Sequence, residues 1–221
     1  LARALEEARQ RWGARLVAAY ALGSLAHGGF SEHVSDVDFA VILAEPLGEA
    51  DRTSVVALGE AVKASGLPLA DRLSTFWGSE AALSRGEEGG RFPPVDRLDL
   101  AENGRLLAGR EVRARVVRPS TEEMVIAAAR QALNMFARPE SMAQLRDPAS
   151  LVAAGARSLT KRVLFPVRFL YTAQTGAIGR NDAAVEHFLR QATGPVASLV
   201  RDAERRGIAV LPVDIAASHV E

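Results

Sequence analysis

Asp36 and Asp38 stand one residue apart in Ser35-Asp36-Val37-Asp38, at the head of the apolar run Phe39-Ala40-Val41-Ile42-Leu43. A short apolar run of this kind predicts a buried strand over 37–43. Side chains alternate along a strand, so the two carboxylates project to one face. Two negative charges that close favour either a proton on one of them or a cation between them. Mg²⁺ prefers carboxylate, phosphate and water oxygens and would relieve the conflict. Upstream, Val17 to Leu22 reads as a second apolar strand that runs into Gly23-Ser24. Gly23 permits a sharp turn or close approach of a ligand, and the Ser24 amide and hydroxyl can face phosphate. The pair is not a P-loop, because no Gly-Lys-Ser/Thr follows. Read blandly, Asp36 caps a turn, Asp38 is a surface charge and Gly23-Ser24 is a hairpin turn. The conjunction of strand, Gly-Ser turn, Asp-x-Asp and strand favours a seat for a divalent metal and a nucleoside triphosphate.

Other chemistries are poorly supplied. There is no cysteine, which removes thiol nucleophiles and Cys-based zinc sites. His27, His33, His187 and His219 are scattered and form no metal-ligand spacing. The 27 basic and 27 acidic residues of the 221 balance, so net charge gives no pull towards nucleic acid or membrane. No stretch is long and apolar enough to span a bilayer, no leader segment is visible, and the absence of cysteine fits a cytoplasmic protein. The sequence leaves a homodimer open.

The elements that must position the acids form two parts. Over residues 1–118, helices at 1–12 and 50–65 alternate with strands near 16–22, 37–43 and 68–76, and with a further strand at 112–117. The pattern predicts an α/β-like domain with a mixed sheet within an α+β chain. Residues 78–94, rich in Gly, Glu and Pro, read as a loop or short helix. Over 119–221 the chain turns helical. Ser120-Thr-Glu-Glu123 is a capping box that opens a helix to about 137. A long helix over 148–174 carries Pro166, which is expected to kink or break it. Asn181 and Gly194-Pro195 open two more. This half reads as a helical bundle.

Gly23-Ser24, the loop through Ala26-His27-Gly28-Gly29 and Ser35-Asp36-Val37-Asp38 resemble the signature of the nucleotidyltransferase superfamily (DNA polymerase beta-like). The nearest flavour is the bacterial aminoglycoside adenylyltransferase and kanamycin nucleotidyltransferase-like group. The resemblance is specific over about residues 20–43, looser to 110 and architectural beyond. It implies that Gly23 and Ser24 hold the triphosphate of ATP and that Asp36 and Asp38 bind Mg²⁺ (or Mn²⁺). A third carboxylate on a later strand completes the site and often acts as base. Asp71, in Leu69-Ala70-Asp71-Arg72-Leu73-Ser74-Thr75, comes in the order the family supplies it; Asp96 and Asp99 are its rivals but read as turn and surface charges. His27 stands where many members carry Arg, as a loop residue near the phosphates.

In the resembled family the bundle forms the acceptor side of the cleft. Lys161 and Arg168 lie at i and i+7, on one helical face if the helix survives Pro166. They read either as a solvated face or as groups reaching the β- and γ-phosphates. The expected activity is metal-dependent transfer of a nucleoside monophosphate, AMP from ATP, to a hydroxyl of a small acceptor such as an aminoglycoside. The alternatives are a protein acceptor, as in toxin–antitoxin adenylyltransferases, and a nucleotide-binding protein without catalysis.

Overall fold

The computed structural model describes residues 1–87 and 89–207. They divide into two compact units: 1–30 with 35–119, and 31–34 with 120–207. His219 and the tail of the expected second domain lie outside the described residues.

In the first unit, α1 (Ala2–Trp12) leads into β1 (Leu16–Ala21) and the short α2 (Gly23–His27). Then follow β2 (Val37–Leu43), α3 (Glu49–Ala64), β3 (Leu73–Ser79), α4 (Glu80–Arg85), α5 (Pro94–Asn103) and β4 (Arg105–Gly109). The sheet order is β3-β2-β1-β4. β1 is antiparallel to β2 and β4, and β2 is parallel to β3, so the sheet is mixed and the chain is α+β as the sequence predicts.

Alternation along the strands builds two apolar layers. Ala19 and Ala21 of β1 and Phe39, Val41 and Leu43 of β2 pack with Ala4, Ala8 and Trp12 of α1 and Leu58 and Val62 of α3. Ala18, Tyr20, Ala40 and Ile42 face the other way, onto Phe76, Leu83, Leu100, Val112 and Val116. Asp38 therefore projects from the second face. A buried carboxylate ties the first layer together. Asp51 accepts hydrogen bonds from Trp12 Nε1 (3.0 Å), Arg15 Nη1 and Nη2 (2.9 and 3.1 Å) and the Gly48 amide (3.0 Å).

Two expectations for this unit fail for local reasons. The stretch 68–72 is not strand. Leu69 adopts φ +63°, and the Ala70 and Arg72 amides bond Leu67 and Leu69 carbonyls. A 3-10 turn over Ala70–Arg72 results, and β3 starts at Leu73. Val112–Val117 is likewise a 3-10 turn at Arg113–Arg115, and the fourth strand is Arg105–Gly109.

The second unit holds α6 (Thr121–Phe136), α7 (Pro139–Arg146), α8 (Pro148–Ala153), α9 (Ala156–Thr175), α10 (Asn181–Leu189) and α11 (Gly194–Gly207). The Ser120 hydroxyl accepts from the Glu123 amide (3.2 Å), and Glu123 accepts from the Ser120 amide (2.7 Å), closing the capping box. Leu164 and Val167 of α9 are buried with Ala184, Val185, Val200 and Ala203. Pro166 does not break α9. It sits on the exposed side, while the buried flanks hold the turn on either side. No helix among the described residues is long and apolar enough to cross a membrane.

Candidate active site

The backbone brings Gly23 and Asp38 together. β1 and β2 pair through Ala21 and Phe39, and the Leu22 amide extends the ladder to the Asp38 carbonyl (3.0 Å). The chain then turns at Gly23 with φ +60°, where a Cβ would lie 2.2 Å from Asp38 Oδ2. Glycine is required twice over, for its dihedral and for the carboxylate that occupies the Cβ's space. The turn is the first residue of α2, not a hairpin. The far end of α2 is held by Arg105 Nε, which donates to the Ala26 carbonyl (2.6 Å).

A residue set aside as a surface charge joins this corner. Asp99, on α5, is 6% exposed. Its Oδ2 accepts the Gly23 amide at 2.6 Å, and its Oδ1 accepts from Asn103 Nδ2 at 2.9 Å. The Gly23 amide is thus already committed, which leaves the amide and hydroxyl of Ser24 as the groups of the pair that can face phosphate. Asp96 and Asp99 stand not in a turn but on α5, in which Pro94 takes the first helical position, where a missing N–H costs nothing.

The other expected site residues fall in distinct places. Asp36 immediately precedes β2 and is half-buried, as is Asp38. Asp71 is exposed in the turn before β3, and Asp96 lies in the first turn of α5. The register sets Ser74 of β3 opposite Asp38. Within the second unit, Lys161 and Arg168 flank Phe165 on α9, with Nζ and the guanidinium carbon 5.8 and 5.3 Å from the ring centroid. Arg168 Nε also donates to the Gly179 carbonyl (2.5 Å). A cleft of about 650 Å³ opens against Leu47, Arg52, Val55, Trp77 and Arg91; Gly23, Asp36 and Asp38 do not line it.

Residues 1–83, which span the Gly-Ser turn, both aspartates and β3, match the nucleotidyltransferase domain family. Over these residues the chain is similar to the nucleotidyltransferase domain. The fold extends beyond the match. Spectinomycin adenyltransferase AAD(9) from Enterococcus faecialis, solved with ATP and spectinomycin, superposes with a TM-score of 0.69 over 98% of this chain and 92% of its own, at 12% identity. At that identity the likeness is one of fold. The comparison with curated proteins yields no match.

The metal that the nucleotidyltransferase resemblance implies is compatible with these residues. Among those described, no three carboxylate or imidazole groups converge closely enough to enclose an ion. Mg²⁺ does not need that enclosure, since it keeps several waters and binds through one or two carboxylates with substrate phosphates. Asp36 and Asp38 supply such oxygens, and the absence of a Cβ at Gly23 leaves the Asp38 carboxylate its space.

Proposed function

We propose that this protein transfers a nucleoside monophosphate, AMP from ATP, to a hydroxyl of a small acceptor. The observation that carries the reading is the apposition of Gly23 and Asp38, a glycine whose missing side chain accommodates a metal-competent carboxylate beside a Ser amide and hydroxyl. The family match over residues 1–83 supports the reaction class. The fold likeness to an adenyltransferase solved with ATP and spectinomycin supports ATP as donor and a small hydroxylated acceptor.

In this reading Asp36 and Asp38 hold Mg²⁺ or Mn²⁺, which when bound neutralises phosphate charge. Ser24 steadies the triphosphate. Asp99 fixes the Gly23 amide and so the entry angle of the turn. The acceptor oxygen bonds to the α-phosphorus as the bond from that phosphorus to the bridging oxygen of the β-phosphate breaks. Pyrophosphate leaves with the electron pair, and the hydroxyl proton passes to solvent. Asp71, in the turn before β3, remains the choice by family order for the group that relays this proton to solvent.

The test is transfer from ATP labelled on its α-phosphate, with Mg²⁺ and a panel of hydroxylated acceptors and cell lysate. Labelled product that disappears in Asp36→Asn/Asp38→Asn is expected. A folded protein that binds ATP and labels nothing would move the reading to nucleotide binding without transfer.

A further inference from the structure

The strand beside Asp38 is bordered at its outer edge by an arginine, Arg91, and the expected acid, Asp71, stands in the turn before it. β3 contains no carboxylate. Its Ser74 is in register with Asp38 and shares that face, as Phe76 does, whereas Leu73 and Trp77 pack on the opposite layer. Neighbouring strands run about 4.8 Å apart, so Ser74 is the nearest side chain to Asp38 from that direction.

Arg91 covers this position. Its amide and carbonyl exchange hydrogen bonds with those of Trp77 (2.8 and 3.1 Å) along the outer edge of β3. Its Nη1 donates to the Thr75 carbonyl (2.5 Å), and its Nη2 reaches Ser74 Oγ (3.4 Å). The guanidinium carbon lies 4.6 Å from the centroid of the Phe76 ring. Three contacts thus fix an exposed guanidinium, and no described carboxylate neutralises it. A guanidinium held this way is pre-organised to take a carboxylate or phosphate through its fork.

The sheet order decides which substrate meets it. β2 lies between β1 and β3, so Gly23-Ser24, at the end of β1, is on one side of Asp38 and Ser74 with Arg91 on the other. In-line transfer needs attacking and leaving oxygens on opposite sides of the phosphorus. With the triphosphate tail against Gly23-Ser24, the acceptor enters from the side of Arg91. Resting on the transferase reading above, we propose that the acceptor bears an anionic group, phosphate or carboxylate, that pairs with Arg91 beside the reacting hydroxyl. The cationic Arg91 disfavours polycationic acceptors by the same charge.

Calorimetry on the full chain tests this. The protein is saturated with Mg²⁺ and α,β-methylene ATP, which cannot react, and titrated with glucose 6-phosphate, glucuronate, glucose and kanamycin. Binding of glucose 6-phosphate or glucuronate, at least tenfold tighter than glucose and kanamycin, is expected; which of the two binds separates phosphate from carboxylate. Arg91→Met should weaken that binding at least tenfold while nucleotide affinity stays within twofold. Arg91→Lys, which keeps the charge without the fork, should fall between. Preference for kanamycin, no binding of either anion by the nucleotide-loaded protein, or anion binding indifferent to Arg91→Met and Arg91→Lys would each overturn the proposal. Failure of the ATP analogue to bind would instead sink the transferase reading, and the proposal with it.

Discussion

The amide of Gly23 donates to the buried carboxylate of Asp99 across 76 residues of chain, at 2.6 Å. This bond ties α5 to the turn that faces Asp38. Asp99→Ala would leave a part-buried amide without its acceptor and cost about 1 kcal/mol. Asp99→Asn keeps an acceptor oxygen and should cost less. If the bond sets the angle of the turn, Asp99→Ala should also weaken ATP binding several-fold beyond what its stability loss explains. Denaturant titration and calorimetry on the same samples separate the two effects.

Gly23→Ala is expected to be more severe at the site. The new methyl would meet Asp38 Oδ2 at 2.2 Å in a backbone with φ +60°, a conformation that costs a non-glycine residue about 1–3 kcal/mol. The carboxylate must move. Mn²⁺ affinity in the presence of ATP, read by electron paramagnetic resonance, should fall at least tenfold while the protein remains folded.

Asp51 sets an acid limit. Burial raises its pKa, but the hydrogen bonds from Arg15, the Gly48 amide and Trp12 outweigh burial and hold it below the ordinary carboxylate value. A depressed folded-state pKa contributes stability above the unfolded value, about 3.9, and that stability disappears as pH falls through the lower folded value. Asp51→Ala should cost about 3 kcal/mol at neutral pH, and its stability should depend less on pH below 4. Urea midpoints across pH 2–7 check both.

Tyr20 sets an alkaline limit. Its hydroxyl donates to Glu111 (2.9 Å) and accepts from the Val112 amide (2.8 Å). Burial chiefly, with the Glu111 charge, pushes its pKa up to about 12, while Arg113 draws Glu111 down to about 2 against the effect of burial. The folded pKa lies above the unfolded value, so this contribution is complete below about pH 10 and fades as pH rises towards 12. Absorbance at phenolate wavelengths should show a late titration that Tyr20→Phe removes.

Local pattern made much of this molecule legible. The run 37–43, the helices α1 and α3 and the Ser120 box each announce themselves within a few residues. Asp99 was hidden because its partner is a backbone amide far away in sequence, which no spacing encodes. Asp71 was misplaced onto a strand because alternation at 69–75 says nothing of Leu69's left-handed backbone. Pro139 reads as the end of α6, but it also opens α7. Ser74 became visible as the residue opposite Asp38, and Arg91 as the partner of Ser74, only once the parallel register of β3 was known.

The pairing of Arg91 with Trp77 has a second consequence, for self-association. β3 is an outermost strand, and an uncovered strand of its apolar kind invites another chain to pair with it. The short bridge at Arg91 occupies two of those backbone groups. It depends on Gly90, where a Cβ would come within 2.4 Å of the Trp77 carbonyl at φ +99°. A side chain at Gly90 would push Arg91 away from Trp77, so this glycine keeps Arg91 in place and with it the two backbone groups of the strand's edge occupied.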